Sequence, residues 1–266
     1  MNSIVLFGAP RSGTSWLGQI LNSSKKTAYR FQPIHSYSFD QTIHSGSSSD
    51  ELKKFHHDLL KSDDPYLCQN INITGKALPS FIKETITHIV WKEVRYMEII
   101  NNLLENSDSK IIGIIRHPCG VLSSWVRAPK EFEKNWKIEE EWRYAEKKNS
   151  NISEYYGYEK WLEVVDIFQK AKEKYPSRFK IVVYENLVRN PLIESRSLFE
   201  FCELEFEEQA YNFIKNSTSK NSEDPYDVFK VKSVLDNWKD ILPLDIQEKI
   251  KEDHRFKCLK YWNQTI

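Results

Sequence analysis

The sequence contains few cysteines and few glycines, and neither sign of charge is in excess. Of its 266 residues only 4 are cysteine and 8 are glycine, and 38 Lys plus Arg balance 38 Asp plus Glu. The cysteines are far apart and include no C-x-x-C pair; they are Cys68, Cys119, Cys202 and Cys258. The histidines show no ligand spacing with them. Neither a disulfide framework nor a zinc site is therefore expected.

Long apolar runs are absent from the sequence as well. The first apolar segment, residues 4–7, is shorter than a signal-peptide core of about seven residues, and no stretch approaches the roughly 18 that span a bilayer. Because the opposite charges balance, we expect no general attraction to nucleic acid or membranes, so any anion site has to be local. We expect a cytoplasmic enzyme with no integral membrane segment and no nucleic-acid partner.

What the sequence does contain is a candidate phosphate loop at its start. Residues 4–7 predict a strand, and the apolar periodicity up to residue 21 predicts a helix beginning near residue 13. Between them lies the segment Gly8-Ala9-Pro10-Arg11-Ser12-Gly13. In a strand–loop–helix unit of this kind, backbone N–H groups and the positive end of the helix dipole converge on one point, where a phosphate binds without a metal.

The loop differs from that of nucleoside triphosphatases at two positions. The spacing from Gly8 to Gly13 fits G-x-x-x-x-G-K-[ST], but Thr14 stands where that motif has lysine. A kinase or ATPase without this lysine lacks the cation that reaches the β- and γ-phosphates. The cation here is Arg11, whose planar fork suits a single phosphate or a bridging anhydride oxygen. The loop therefore favours an adenosine 5′-phosphoryl group.

A second anion-binding element is predicted around residue 116. The apolar run 110–115 is typical of a buried parallel strand, and it ends in Arg116 where a Walker B strand would end in aspartate. Pro118 suits the first turn of a following helix. Ser124 lies eight residues after Arg116, two turns into that helix, near enough for both side chains to hold one anion. The pair predicts a second phosphate subsite.

Together these two elements resemble the sulfotransferases that use 3′-phosphoadenosine 5′-phosphosulfate (PAPS). In that family the first motif binds the 5′-phosphosulfate and the second binds the 3′-phosphate. By resemblance, the first motif comprises Arg11, Ser12, Gly13, Thr14, Ser15 and Trp16, and the second comprises Arg116 and Ser124. The resemblance implies PAPS as co-substrate, adenosine 3′,5′-bisphosphate (PAP) as product, and no metal requirement. It also implies in-line transfer of a sulfuryl group to an acceptor hydroxyl or amine.

Weaker matches extend the resemblance along most of the chain. Residues 183–187 resemble the family segment Tyr-Glu-Asp-Leu, whose tyrosine lies near the adenine, so Tyr184 is a candidate adenine contact. Residues 92–95 resemble the Lys-x-x-Arg segment of carbohydrate-type members, and residues 238–243 resemble a later segment of the same enzymes. The cytosolic aryl and steroid branch usually has lysine in the first loop. Arg11 therefore indicates the carbohydrate-type or bacterial branch.

The order of the predicted elements indicates the fold class. Strands are predicted at 3–8, 27–31, 110–115 and 179–184, and helices at 13–22 and 118–127, with a long polar loop and further helices elsewhere. Because strands alternate with helices, we expect one α/β domain over 1–266, in which helices flank a central, mainly parallel sheet. The row from Trp161 to Ala171, with apolar residues at helical spacing, is predicted to pack in the core.

Sulfuryl transfer also needs a base that takes the proton of the acceptor. Many carbohydrate-type members have glutamate before the proline that follows the second strand, but this chain has Gln32, which does not accept a proton at neutral pH. His35 is the preferred candidate because an unperturbed histidine has a pKa of about 6.5. The alternative is that His35 only holds a backbone carbonyl. Lys92 and Glu93 are reserve candidates, since burial tunes either group toward neutral pH.

The acceptor is indicated only by a charged stretch over residues 125–161. We predict a helical segment here that caps the active site, and its aromatic and basic residues are Trp125, Trp136, Trp142, Trp161, Lys130, Lys134 and Lys137. Aromatic faces with cations suit a glycan or glycolipid acceptor. Ordinary helix packing with a solvated charged face is the alternative interpretation, and a small phenol or other small molecule remains an alternative acceptor.

Two other functions fit parts of the pattern. A P-loop kinase for a nucleotide or sugar would need a loop lysine and an acidic strand end, and the chain has Thr14 and Arg116 at those places. A non-catalytic nucleotide-binding protein is favoured only by Gln32. Magnesium dependence distinguishes the kinase, and consumption of the sulfuryl donor distinguishes the non-catalytic protein.

Overall fold

The protein folds around one parallel sheet. The structure, a computed structural model, describes residues 1–69, 78–219 and 235–262. Within these residues the strands are β1 (Asn2–Phe7), β2 (Thr27–Phe31), β3 (His88–Glu93), β4 (Lys110–Ile115) and β5 (Phe179–Val183). Their order in the sheet is β2–β3–β1–β4–β5, and each neighbouring pair is parallel. The predicted α/β fold with a central parallel sheet is confirmed.

Helices connect and follow the strands. In the described residues they are α1 (Thr14–Asn22), α2 (Ser49–Lys61), α3 (Ile100–Asn106), α4 (Pro118–Val126), α5 (Ile138–Glu141), α6 (Tyr158–Lys174), α7 (Tyr184–Arg189), α8 (Pro191–Phe201), α9 (Glu208–Ser219), α10 (Trp238–Ile241), α11 (Leu244–Glu252) and α12 (His254–Lys257). Short 3₁₀ helices cover Tyr37–Phe39 and Met97–Ile99. Among the described helices, none combines the length and apolar character that crossing a bilayer requires.

Two apolar layers cover the sheet, one on each face. Val5 and Phe7 of β1 belong to a cluster with apolar residues of α2, α3, α4 and α6. Ile4 and Leu6 belong to a second cluster with residues of α1, α7, α8 and α9. Because both faces of β1 are covered, the strand is apolar at successive positions rather than at alternate ones. This explains why the first apolar segment of the sequence has no polar interruption.

One strand of the sheet, β3, is not predicted by the sequence pattern, which indicates a loop and helices between residues 31 and 110. The strand lies between β1 and β2 and pairs with both, and all six of its residues are buried. Its last two residues are Lys92 and Glu93. A run that ends in two charges is not typical of a buried strand, so the apolar pattern alone does not predict it.

The stretch predicted as a helical cap is mostly not helical. Between the end of α4 and the start of α6 the described residues contain only the four-residue helix α5 and turns. Trp125, Trp142 and Trp161 are buried in the larger apolar cluster. These rings therefore pack in the core, as the alternative interpretation held. The predicted core row from Trp161 to Ala171 is also confirmed, since its apolar members are buried on α6.

The carboxyl ends of the strands form one edge of the sheet. β1 leads into the candidate phosphate loop, β3 ends at Lys92 and Glu93, β4 leads to Arg116, and β5 leads to Tyr184. After β3 the chain crosses β1 to reach β4 on its other side. Open parallel sheets bind ligands outside the carboxyl ends of their strands, where the strand order reverses in this way. The fold thus brings the predicted motifs to one edge.

Candidate active site

The loop after β1 turns tightly against the start of α7. Gly13 has a φ of 97°, and a Cβ atom at this position would lie 2.6 Å from the Tyr184 ring. Arg11 also has a positive φ, of 70°, which costs energy for a residue with a side chain. The Ser12 hydroxyl is buried and has no hydrogen-bond partner among the described residues. Such a hydroxyl is available to a bound anion.

The Arg11 side chain connects the two predicted anion-binding elements. Its Nε donates a hydrogen bond to Oγ of Ser124 at 3.3 Å, and its Nη1 lies 3.5 Å from Oε1 of Glu131. Nη1 of Arg116 donates to the backbone carbonyl of Arg11 at 3.1 Å. The phosphate loop, the end of β4 and helix α4 therefore meet at this side chain. Arg116 and Ser124 are both buried.

Two aromatic rings lie beside these cations. The guanidinium carbon of Arg116 is 4.6 Å from the centroid of the Tyr184 ring. The Trp16 ring meets Tyr184 edge to face, with 6.3 Å between the centroids. Nε1 of Trp16 donates to Oγ of Ser217 at 3.1 Å, which ties the first turn of α1 to α9. Trp16, Tyr184 and Arg116 thus form one group although they come from three separate motifs.

Lys92 brings a buried amine beneath the phosphate loop. Its Nζ donates to Oγ1 of Thr14 at 3.4 Å and lies 4.2 Å from the centroid of the Phe31 ring. The side chain is 2% exposed. Burial lowers the pKa of Lys92 to about 7, against the opposing influence of Glu93 and Glu131. An amine with this pKa changes its charge near neutral pH.

Glu93 anchors the loop that follows β2. Its Oε1 accepts a hydrogen bond from the backbone N–H of Ile34 at 2.8 Å. The residue is completely buried, and burial raises the pKa of Glu93 to about 8, although the Ile34 hydrogen bond and nearby Lys92 act in the opposite direction. The carboxyl group therefore holds the backbone of the segment that carries Gln32 and His35.

Gln32 and His35 occupy different environments in this loop. Gln32 is buried, and its Oε1 accepts from Nη1 of Arg95 at 3.2 Å; Arg95 also lies 3.5 Å from Glu154. The His35 side chain is exposed, and the enclosure of its ring together with nearby Arg95 lowers the pKa of His35 below its usual value.

Glu131 is a site residue that the sequence analysis missed. It lies in a turn after α4, where the backbone N–H of Glu131 and that of Phe132 both donate to the carbonyl of Ala128. The buried indole of Trp125 donates to the carbonyl of Glu131 at 2.9 Å. This turn directs the carboxylate to Arg11. The sequence signal was slight, since Glu131 stands among other charged residues of an exposed-looking segment.

The sulfotransferase family model matches residues 3–208. This chain belongs to the sulfotransferase family. The matched range begins in β1 and ends at the start of α9, so it includes both predicted anion-binding motifs and the segment around Tyr184.

Similar proteins place this sulfotransferase near the carbohydrate branch. Carbohydrate sulfotransferase 1 of Danio rerio is 22% identical over 289 aligned residues, which cover 83% of this chain and 66% of the relative. Carbohydrate sulfotransferase 3 of Mus musculus is 20% identical, with coverage of 93% and 65%. The chain thus spans about two thirds of the length of these curated relatives. The predicted sulfotransferase family, closer to carbohydrate-type or bacterial members than to the aryl and steroid branch, is confirmed.

A solved structure supports the fold assignment. Mouse sulfotransferase SULT7A1, crystallised in complex with PAP, matches this sulfotransferase with a TM-score of 0.59 at 15% identity. The match covers 100% of this chain and 89% of the mouse protein. At this identity the likeness shows a common fold.

The structure therefore brings most of the predicted site residues of this sulfotransferase together. Arg11, Arg116 and Ser124 are linked by hydrogen bonds, and Lys92 contacts Thr14. Ser15, in the first turn of α1, is partly exposed. These placements are compatible with the predicted roles, which remain predictions.

Proposed function

We propose that this sulfotransferase moves a sulfuryl group from PAPS to a hydroxyl or amine of its acceptor. The observation that carries the proposal is the connection of two anion-binding elements through Arg11. Arg11 belongs to the loop predicted for the 5′-phosphosulfate, and it contacts Ser124 and Arg116 of the element predicted for the 3′-phosphate. A nucleotide with phosphates at both positions is the ligand whose chemistry suits this pair of elements.

The residues present fit such a nucleotide. Arg11, Ser12 and Thr14 would hold the 5′-phosphosulfate, with the backbone at Gly13 close to it. The unpartnered buried hydroxyl of Ser12 supports this assignment. Arg116 and Ser124 would hold the 3′-phosphate. The rings of Trp16 and Tyr184 would contact the adenine, because they form the aromatic surface next to Arg116.

The cations of this site suit sulfuryl transfer. The transition state is loose, and charge develops on the bridging oxygen that stays with the nucleotide, by analogy with phosphoryl transfer. Arg11 lies in the loop that would hold this oxygen. Lys92 lies just beneath it, and the arriving anion would draw a proton onto this amine. Charge stabilisation by such preplaced groups is commonly a large part of catalysis.

We propose a glycan or glycolipid as the acceptor. The support is the carbohydrate-type names of the curated relatives. The buried tryptophans do not support it, because their rings pack in the core. An aromatic residue that is open to a sugar ring is Tyr37, which is fully exposed on the loop that also carries His35.

The donor proposal is tested by comparing nucleotides that differ only in the 3′-phosphate. Calorimetric titration with PAP and with adenosine 5′-monophosphate measures both affinities. We expect PAP to bind at least about tenfold more tightly, which corresponds to about 1.4 kcal/mol. Equal affinities would contradict the 3′-phosphate subsite and most of the proposal with it.

The acceptor proposal is tested with PAPS labelled with ³⁵S. The label is offered together with chondroitin, N-acetyllactosamine, vesicles that contain galactosylceramide, and p-nitrophenol. Transfer to a glycan or to the glycolipid supports the proposal, whereas label on p-nitrophenol alone rejects it.

A non-catalytic nucleotide-binding protein is the second candidate, and Gln32 is the observation that favours it. Glutamine at this position cannot serve as the base that carbohydrate-type members place there. PAPS consumption with and without the four acceptors separates the two functions. PAP binding without any consumption would support the second one.

A further inference from the structure

The base is the part of the mechanism that the predicted residues leave open. Gln32 does not accept a proton, and the charged groups that affect the pKa of His35 after burial are Arg95, Glu154, Asp40 and Lys148, none of which lies in the phosphate loop. Glu93 is completely buried, and one of its oxygens already accepts the Ile34 N–H. A base has to be within hydrogen-bond reach of the acceptor beside the sulfuryl group, so geometry is the first criterion.

We infer that Glu131 is the general base of the transfer reaction, an inference that rests on the proposed function. Oε1 of its carboxylate lies 3.5 Å from Nη1 of Arg11. Arg11 is the side chain that we assign to the transferring group. A carboxylate is therefore present next to the side chain that would hold the transferring group, on the turn that follows α4.

The turn holds Glu131 in a defined position. The carbonyl of Glu131 accepts from the Trp125 indole, and its N–H donates to the carbonyl of Ala128 at 2.8 Å. Trp125 itself packs edge to face on Phe132, with 5.0 Å between the centroids. Both rings are buried. A catalytic side chain is effective when the backbone that carries it is held in this way.

The surroundings of Glu131 also suit a base. Its side chain is 23% exposed, and Oε2 is buried without a hydrogen-bond partner among the described residues, so this oxygen is available to an acceptor hydroxyl that enters the site. The Tyr156 hydroxyl lies beside it, and burial together with this carboxylate raises the pKa of Tyr156 far above its usual value, so the tyrosine stays neutral. Lys92 is also within electrostatic range of Glu131. The carboxylate is thus next to the cations that would hold the transferring group.

The proposed step moves one proton to Glu131 and replaces one bond at sulfur with another. The acceptor hydroxyl gives its proton to a carboxylate oxygen of Glu131 while its oxygen forms a bond to sulfur. The bond between sulfur and the bridging oxygen breaks, and its electron pair stays on the 5′-phosphate of PAP. Glu131 then releases the proton to solvent, so one acceptor hydroxyl and one PAPS give one sulfate ester, one PAP and one proton.

The test compares Glu131→Gln and Glu131→Asp with a matched control, Glu133→Gln. Glu133 is an exposed carboxylate two positions away. Each variant is assayed for ³⁵S transfer to the best acceptor of the panel, or for PAP release to water if no acceptor is used, and for PAP binding by calorimetry. We expect Glu131→Gln to lower the transfer rate by about 10² to 10⁴, Glu131→Asp to retain part of it, and Glu133→Gln to match wild type.

PAP binding separates the base from a structural partner of Arg11. Removing a negative charge beside an anion site should leave PAP affinity unchanged or higher, since repulsion is removed. If Glu131 only positions Arg11, Glu131→Gln weakens PAP binding and the inference is wrong. Transfer within about threefold of wild type, about 0.7 kcal/mol, would also overturn it.

His35→Ala is the direct comparison with the sequence-based candidate. Loss of transfer in His35→Ala, with transfer retained in Glu131→Gln, would assign the base to His35 and reject Glu131. Absence of both PAP binding and PAPS consumption in wild type would instead reject the proposed function, so the two failures are distinguishable.

Discussion

Nε of Arg11 donates a hydrogen bond to Oγ of Ser124, although 113 positions separate the two residues in the chain. Arg11 lies in the loop after β1, and Ser124 lies on α4 after β4. β1 and β4 are adjacent parallel strands, so their carboxyl ends deliver both residues to the same place. The contact joins the two motifs on which the proposed donor site depends.

Ser124→Ala should weaken PAP binding. The hydroxyl is assigned to the 3′-phosphate, and a hydrogen bond to a charged group contributes about 1.5–3 kcal/mol, so we expect a loss of about 10- to 150-fold. Affinity for adenosine 5′-monophosphate should change little. The matched control is Ser123→Ala, since that buried hydroxyl bonds to the carbonyl of Gly120 within the helix. Equal losses for both nucleotides would reject the assignment of Ser124.

Gly13→Ala should destabilise the protein and impair donor binding. The φ of 97° is unfavourable for alanine, and its Cβ would lie 2.6 Å from the Tyr184 ring. We expect the free energy of unfolding in urea to fall by about 1–3 kcal/mol. Gly46→Ala is the control, because the nearest atom to its new Cβ is in the His44 ring at 3.4 Å. Its free energy of unfolding should stay within about 0.5 kcal/mol of wild type. A Gly13 variant as stable as the Gly46 variant would contradict this description of the loop.

Donor binding should be coupled to proton uptake by Lys92. Burial lowers the pKa of Lys92 to about 7, so the amine is mainly neutral at about pH 8. A bound anion raises that pKa, so binding should take up a proton at about pH 8 and much less at about pH 6, where the amine is already charged. Calorimetry of PAP binding in buffers of different ionisation enthalpy measures this uptake.

Lys92→Met identifies the source of the proton. The variant should bind PAP without the uptake at the higher pH. It should also unfold at a higher temperature than wild type near neutral pH, because the free energy of burying an amine is removed. Proton uptake that persists in Lys92→Met would assign it to another group.

Glu93→Gln should change how stability depends on pH. Burial raises the pKa of Glu93 to about 8, whereas an unfolded glutamate has a pKa of about 4.3. The folded protein binds more protons than the unfolded chain between these values, so the contribution of Glu93 is complete below the lower value and is lost as pH rises through the upper one. As pH rises from the lower to the upper value, the free energy of unfolding of wild type should therefore fall relative to that of Glu93→Gln. Melting temperatures measured between about pH 4.3 and pH 8 check this expectation, with the exposed Glu133→Gln as control. Parallel curves for wild type and Glu93→Gln would contradict a raised pKa of Glu93.

The local motifs were predictable from the sequence because their signals are local. The apolar segment before Gly8 and the run before Arg116 each combine a strand pattern with residues suited to the start of a helix, and both units fold as expected. The strand β3 was not predicted, because Lys92 and Glu93 interrupt its apolar pattern. Their burial depends on β1 and β2, which cover the strand from both sides.

The sequence alone determined the class of fold, the phosphate loop and the family resemblance, because these rest on neighbouring residues and short spacings. The tertiary structure decided which side chains share the site. Lys92 acquires its low pKa only when β3 is enclosed, and Glu131 reaches Arg11 only because Trp125 holds its turn against the core. Contacts between residues 120 positions apart, as for Arg11 and Glu131, depend on the order of strands in the sheet, which no local pattern encodes.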